Sequence, residues 1–87
     1  MYVIAVYDIS EKRVSKMLKL MRKYLHWIQN SVFEGEISSA KLEELKIRAF
    51  GIMDQETDSL IIFKSREEEW LEKEVVGHER STLDSIL

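Results

Sequence analysis

The stretch Tyr2-Val3-Ile4-Ala5-Val6-Tyr7-Asp8 constrains the fold more than any other part of the chain. It is apolar, β-branched or aromatic almost throughout, ends on one carboxylate, and runs into a turn-and-cap signal at Ile9-Ser10-Glu11. Such a run reads as a strand buried on both faces, in the middle of a sheet. Asp8 then stands at the C-terminal end of that strand, just before a helix, where open sheets commonly place their chemistry. Alternation puts Asp8 on one face with Val6 and Ile4, and Tyr7, Ala5 and Val3 on the other.

Ser10 is the expected N-cap of the following helix, with Glu11 at its positive end. Val14, Leu18, Met21 and Leu25 recur at steps of four, three and four and predict its apolar face. Lys12, Lys16, Lys19 and Lys23 repeat those steps two residues earlier, roughly 200° round the wheel, so the opposite face is cationic. That face is either plain solvated surface or a track for phosphates. Trp27 to Ile37 predicts extended structure, as one bent strand or as two arms broken near Asn30-Ser31, with Gly35 marking a bulge or a close backbone approach. Ser38-Ser39 caps a second helix with Leu42, Leu45 and Ala49 inward, ending near Phe50 with Gly51 as its stop. After the polar turn from Asp54 to Asp58, Leu60 to Phe63 predicts a strand beside the first. Glu67 to Glu74 suggests a short helix anchored by Trp70 and Leu71, and Val75-Val76-Gly77 a small edge strand. The order predicts an α+β, ferredoxin-like βαββαβ sandwich over residues 1–77, with 78–87 as a polar tail whose tip carries Leu83, Ile86 and Leu87.

A chain of 87 residues buries a limited core, and this plan leaves one sheet face without helices. A second copy is its simplest cover, so a homodimer is expected. The net charge of −3 argues against tight binding of duplex nucleic acid by the chain alone. Its distribution argues the other way, because six basic residues face one acid between Glu11 and Lys23. Cysteine is absent, which excludes disulfides, thiolate metal sites and cysteine nucleophiles and fits a cytoplasmic protein. The apolar first strand is too short to cross a bilayer and has no basic leader, so neither a membrane nor a signal peptide is expected.

Asp8 is the one residue in an apolar setting equipped for chemistry. It is either a turn aspartate bonded to the backbone after it or, if the Ile4-Val6-Asp8 face meets its symmetry mate, half of a paired carboxylate site. One or two carboxylates with retained waters suit Mg²⁺. His26 and His78 have no neighbour at metal-ligand spacing, and Walker, nucleophile-elbow and dinucleotide motifs are absent. The residues alone do not name a substrate.

The segment Gln29-Asn30-Ser31-Val32-Phe33-Glu34-Gly35, with Tyr7-Asp8 and the basic opening Lys12-Arg13, resembles the CRISPR-associated Cas-two (Cas2) family. It matches that family's Q-x-S-V-F-E-G pattern at every fixed position. The resemblance implies a homodimer in which the strand around Glu74 to Gly77 joins the partner's sheet. It implies a dimer placed between Cas-one (Cas1) integrase dimers, holding spacer DNA, and in several members a metal-dependent endonuclease acting on RNA or double-stranded DNA. It carries the metal-binding aspartate to Asp8, a basic helix residue to Arg13 and an aromatic strand position to Phe33, which Tyr7 accompanies. Members commonly have glycine four residues before the glutamine. Leu25 stands there, which predicts a differently made turn with the helix extended toward His26.

Three readings follow. Asp8 and its mate hold Mg²⁺ for phosphodiester hydrolysis, with Lys12, Arg13 and Lys16 neutralising phosphate and Lys19 and Lys23 continuing the track. Alternatively, the dimer is a scaffold that clamps nucleic acid with no chemistry of its own. The third reading, a ferredoxin-like module binding a small metabolite, has only the fold behind it.

Overall fold

The computed structural model describes residues 1–80. Its elements run β1 (Tyr2–Asp8), α1 (Glu11–Arg22), β2 (His26–Gln29), β3 (Val32–Glu36), α2 (Ser39–Ile52) and β4 (Ser59–Ser65), followed by a 3₁₀ turn at Glu68–Trp70. The strands form one sheet in the order β2-β3-β1-β4, and every pairing is antiparallel. This is the ferredoxin-like βαββαβ plan. The most apolar strand occupies the interior, as its composition requires: β1 pairs with β3 along one side, Ala5 opposite Phe33, and with β4 along the other, Ala5 opposite Ile62.

The two faces of β1 differ. Val3, Ala5 and Tyr7 point into a core shared with Met17, Leu20, Met21, Leu25, Phe33, Leu42, Leu45 and Ala49. Ile4 and Val6 are only half-buried, on the face that carries no helix, and Asp8 is exposed. Burial on both faces is therefore not reached among the described residues of one chain.

Several expected boundaries move, each for a local reason. The buried face of α1 centres on Met17, Leu20 and Met21, with Val14 and Leu18 half-buried at its margin. The lysine stripe then lies roughly 130° from the face centre, on the flank toward α2, rather than opposite it. The helix stops at Arg22 instead of reaching His26, because Tyr24 and Leu25 both turn their amides back to the Met21 carbonyl. Leu25 is buried and lies against Gly35, where a Cβ would sit 3.3 Å from Leu25 Cδ2. Close approach, not a bulge, is what Gly35 permits; the register shift falls in β2, between Trp27 and Gln29. The break at Asn30-Ser31 is a tight turn, with Asn30 in the left-handed region at φ 47°.

Ser38 caps α2, its hydroxyl accepting from the Lys41 amide at 3.1 Å. The helix continues through Gly51 to Ile52, so Gly51 is not its stop. Glu68–Trp70 is one 3₁₀ turn with Trp70 exposed, in place of a short helix. Val75-Val76-Gly77 forms no strand among the described residues. Leu83, Ile86 and Leu87 lie outside the described residues. Among the described residues no helix is long and apolar enough to cross a membrane.

Candidate nucleic-acid interface and carboxylate site

The turn that follows β1 is built around a residue the sequence did not single out. Asp58, just before β4, has a side chain only 1% exposed. It accepts from Arg13 twice, Nε to Oδ2 at 2.6 Å and Nη2 to Oδ1 at 3.1 Å. The Ser10 amide donates to Oδ1 at 3.0 Å and the Asp54 amide to Oδ2 at 2.9 Å. The Arg13 guanidinium, helped by those two amides, holds the Asp58 carboxyl well below the usual carboxylate range. A carboxylate at the first turn of α1 also meets that helix's positive end. Asp58, not Asp8, therefore takes the backbone amide after the strand. The signal available in sequence was weak: an aspartate four residues after another, at the entry to an apolar strand, which reads equally well as a solvated turn.

Arg13 is consequently separated from the lysines with which it was grouped. Its guanidinium is committed to Asp58, and its pKa is raised by that pairing. Lys16, Lys19 and Lys23 do come together, and Arg48 of α2 joins them. With Leu20, Gly51 and Ile52 they line a shallow groove of about 480 Å³ between the two helices. Arg48 is held there by Tyr24, whose hydroxyl accepts from Nη1 at 2.8 Å. Arg48 escaped the sequence reading because it belongs to the other helix. Lys12 is exposed at the first turn of α1 and is not part of the groove lining.

Asp8 faces the opposite side of the sheet. Its cross-strand neighbour on β4 is Ser59, and the same face continues through Val6 opposite Ile61 and Ile4 opposite Phe63. Ile61 and Phe63 are 53% and 57% exposed, so this face presents an apolar surface with a carboxylate at its end. At the other end Glu68 and Leu71 to Glu74 stand over the sheet, enclosing a cavity with Tyr2, Ile4 and Glu34. Tyr7 and Phe33 point the other way, buried and stacked with ring centroids 6.1 Å apart. They hold β1 against β3 and line no surface; burial pushes the Tyr7 hydroxyl up.

Mg²⁺ needs more than the described residues of one chain provide. Among the described residues no three histidine, cysteine or acidic side chains cluster as a metal site. A single exposed carboxylate fits this cation only as half of a paired site that keeps several waters.

Comparison with known proteins gives a consistent result. The family model for CRISPR associated protein Cas2 matches residues 1–73. A protein of Dictyoglomus turgidum called CRISPR-associated endoribonuclease Cas2 is 46% identical over 87 residues, covering all of both chains. Its namesake from Thermococcus kodakarensis is 41% identical over 87 residues, again covering both chains completely. Among solved structures, a crystal structure of a Cas2 superposes with a TM-score of 0.86 at 46% identity, covering 93% of this chain and 91% of the other. Streptococcus pyogenes Cas2 at pH 6.5 gives 0.79 at 30% identity, covering 88% and 100%.

Proposed function

The chain belongs to the CRISPR-associated Cas2 family, and from that premise we propose that it acts as a homodimer that holds nucleic acid in the Cas1–Cas2 spacer-acquisition complex. One observation carries this reading. The clustered cations Lys16, Lys19, Lys23 and Arg48 lie between the helices, while Asp8 lies on the helix-free face of the sheet. A backbone following the groove is neutralised there by long, exposed cations and is kept a whole layer away from the carboxylate. That arrangement suits retention of a nucleic acid, and the half-exposed Ile61 and Phe63 suit closure of two copies through their helix-free faces. In the dimer the strand around Glu74 to Gly77 would cross to the partner's sheet.

A second activity is favoured by Asp8 itself and by the relatives' shared name, endoribonuclease. Asp8 is exposed at the end of the central strand, and the backbone amide it would otherwise serve is taken by Asp58. Two such groups meeting across a twofold axis would hold Mg²⁺, which supplies charge neutralisation and water activation for phosphodiester hydrolysis of RNA or double-stranded DNA. The chain's own share is to fix Asp8 on a rigid central strand, with the Tyr7–Phe33 stack behind it.

Asp8→Asn separates the two roles. We expect cleavage of single-stranded RNA in Mg²⁺ to be lost, while dimerisation by sedimentation and retention of duplex DNA with Cas1 stay at wild-type levels. Unchanged cleavage removes Asp8 from catalysis; loss of DNA retention removes the scaffold reading.

A further inference from the structure

After β4 the chain does not drift away from the sheet but crosses its helix-free face. Glu68 and Leu71 to Glu74 line a cavity of about 290 Å³ with Tyr2 and Ile4 of β1 and Glu34 of β3. Lys73 Nζ lies 2.5 Å from Glu34 Oε2 and 3.9 Å from Glu79 Oε1, so a single ammonium stands between one carboxylate of the sheet and one from beyond the Gly77 turn. Gly77 adopts φ 97°, a conformation open to glycine and strained for other residues. The stretch between these fixed points carries Val75 and Val76 outward, and Val76 is 95% exposed. Two β-branched residues held in solvent beside a turn have the composition of a strand but, among the described residues, pair with none.

The same chain offers the complementary half. Strand β4 has β1 on one side and, among the described residues, no strand on the other. Its outer edge therefore presents unpaired backbone donors and acceptors, a template for an added strand. Glu34 explains why the crossing is fastened where it is. Its side chain is 14% exposed on a face that would dry when two copies meet, and a carboxylate there is costly unless paired. Lys73 of the same chain already supplies that pairing before association, and Glu34 in return raises the Lys73 pKa.

Resting on the homodimer reading above, we propose that Glu34 and Lys73 form an anchor in cis that fixes where residues 74–77 leave their own protomer for the outer edge of β4 in a second copy. The ligand is thus a second copy of this chain, and the anchor's work is positional: it orders the crossing segment before the two copies meet.

Sedimentation across a range of protein concentrations tests this. Lys73→Glu sets like charges against one another and should raise the dimer Kd by about tenfold or more. Adding Glu34→Lys to the same chain should recover most of the loss. Mixing the two single variants should not, because each protomer then still carries its own broken pair. Recovery in the mixture as full as in the double variant would mean that the pair forms between copies, and a Kd within about twofold of wild type for Lys73→Glu would mean that it anchors nothing. Either result overturns the anchor. Lys73→Met, which removes the charge at a position exposed enough to spare folding, should also weaken the dimer, and circular dichroism checks the fold of each variant. A wild-type chain that stays monomeric removes the dimer reading and the anchor together; a wild-type dimer indifferent to these changes removes the anchor alone.

Discussion

Arg13 and Asp58, 45 residues apart in sequence, form a two-bonded ion pair that fastens the β1–α1 turn to the α2–β4 turn. Because the Asp58 side chain is almost wholly buried and also receives the Ser10 and Asp54 amides, losing Arg13 leaves a buried carboxylate without its cation, and losing the Asp58 charge weakens the acceptor of the guanidinium and of both amides at once. Removing one member of such a buried pair is among the costlier single changes. Asp58→Asn and Arg13→Met should each lower Tm by on the order of 10 °C in a domain of this size. Thermal unfolding followed by circular dichroism checks this, and a shift under about 2 °C would mean that the pair contributes little.

The same pair gives a pH dependence with a definite sign. The folded-state pKa of Asp58 is depressed, so its contribution to stability is complete above the unfolded value near 3.9 and is lost as pH falls through the lower folded value. The Tm gap between wild type and Asp58→Asn should stay constant from about pH 7 to about pH 5 and narrow below about pH 4. Subtracting the variant cancels the other carboxylates. A gap that already shrinks between pH 7 and pH 5 would place the titration on another group.

Sequence pattern recovered what depends on runs and periods. The run from Val3 to Tyr7 located the central strand, and the order of elements gave the βαββαβ plan realised in the sheet order β2-β3-β1-β4. What escaped depends on contacts between distant segments. Arg13 reads as one more cation of α1 until Asp58 is placed beside it. Arg48 reads as a solvated residue of α2 until the two helices bring it to Lys16, Lys19 and Lys23. Phe33 carries a family role in the sequence, yet its ring stacks on Tyr7 inside the core. The lysine stripe was recognisable as a stripe, but its direction was not. Helical spacing defines faces relative to one another, and Met17 and Leu20 decide which one turns inward.

Leu25 and Gly35 should behave as one unit. Gly35→Val drives a branched side chain toward Leu25 Cδ2, where even a bare Cβ stands at 3.3 Å, and should cost about 1–3 kcal/mol. Leu25→Ala empties a buried position and should cost about 2–5 kcal/mol. In the double variant the valine enters the vacated space, so its total should fall short of the sum by at least about 1 kcal/mol. Urea unfolding of the four proteins measures this; strict additivity would mean that the two residues do not compete for space.

The groove between the helices should dominate the salt dependence of nucleic-acid binding. Each phosphate neutralised on B-form DNA contributes about −0.9 to the slope of log K against log salt. Replacing Lys16, Lys19 and Lys23 together by glutamine should therefore reduce the magnitude of that slope by up to about 3 for each groove the duplex engages, with binding weakened most at low salt. Arg13→Gln should leave the slope nearly unchanged, because its guanidinium already serves Asp58. Asp8→Asn should do the same, since Asp8 lies on the opposite face of the sheet from the groove. Fluorescence anisotropy with a labelled duplex between 50 and 200 mM salt, roughly the range over which such contacts are lost, separates the three. If Arg13→Gln flattened the slope as much as the triple lysine change, the phosphate track would run along the first turn of α1 instead of between the helices.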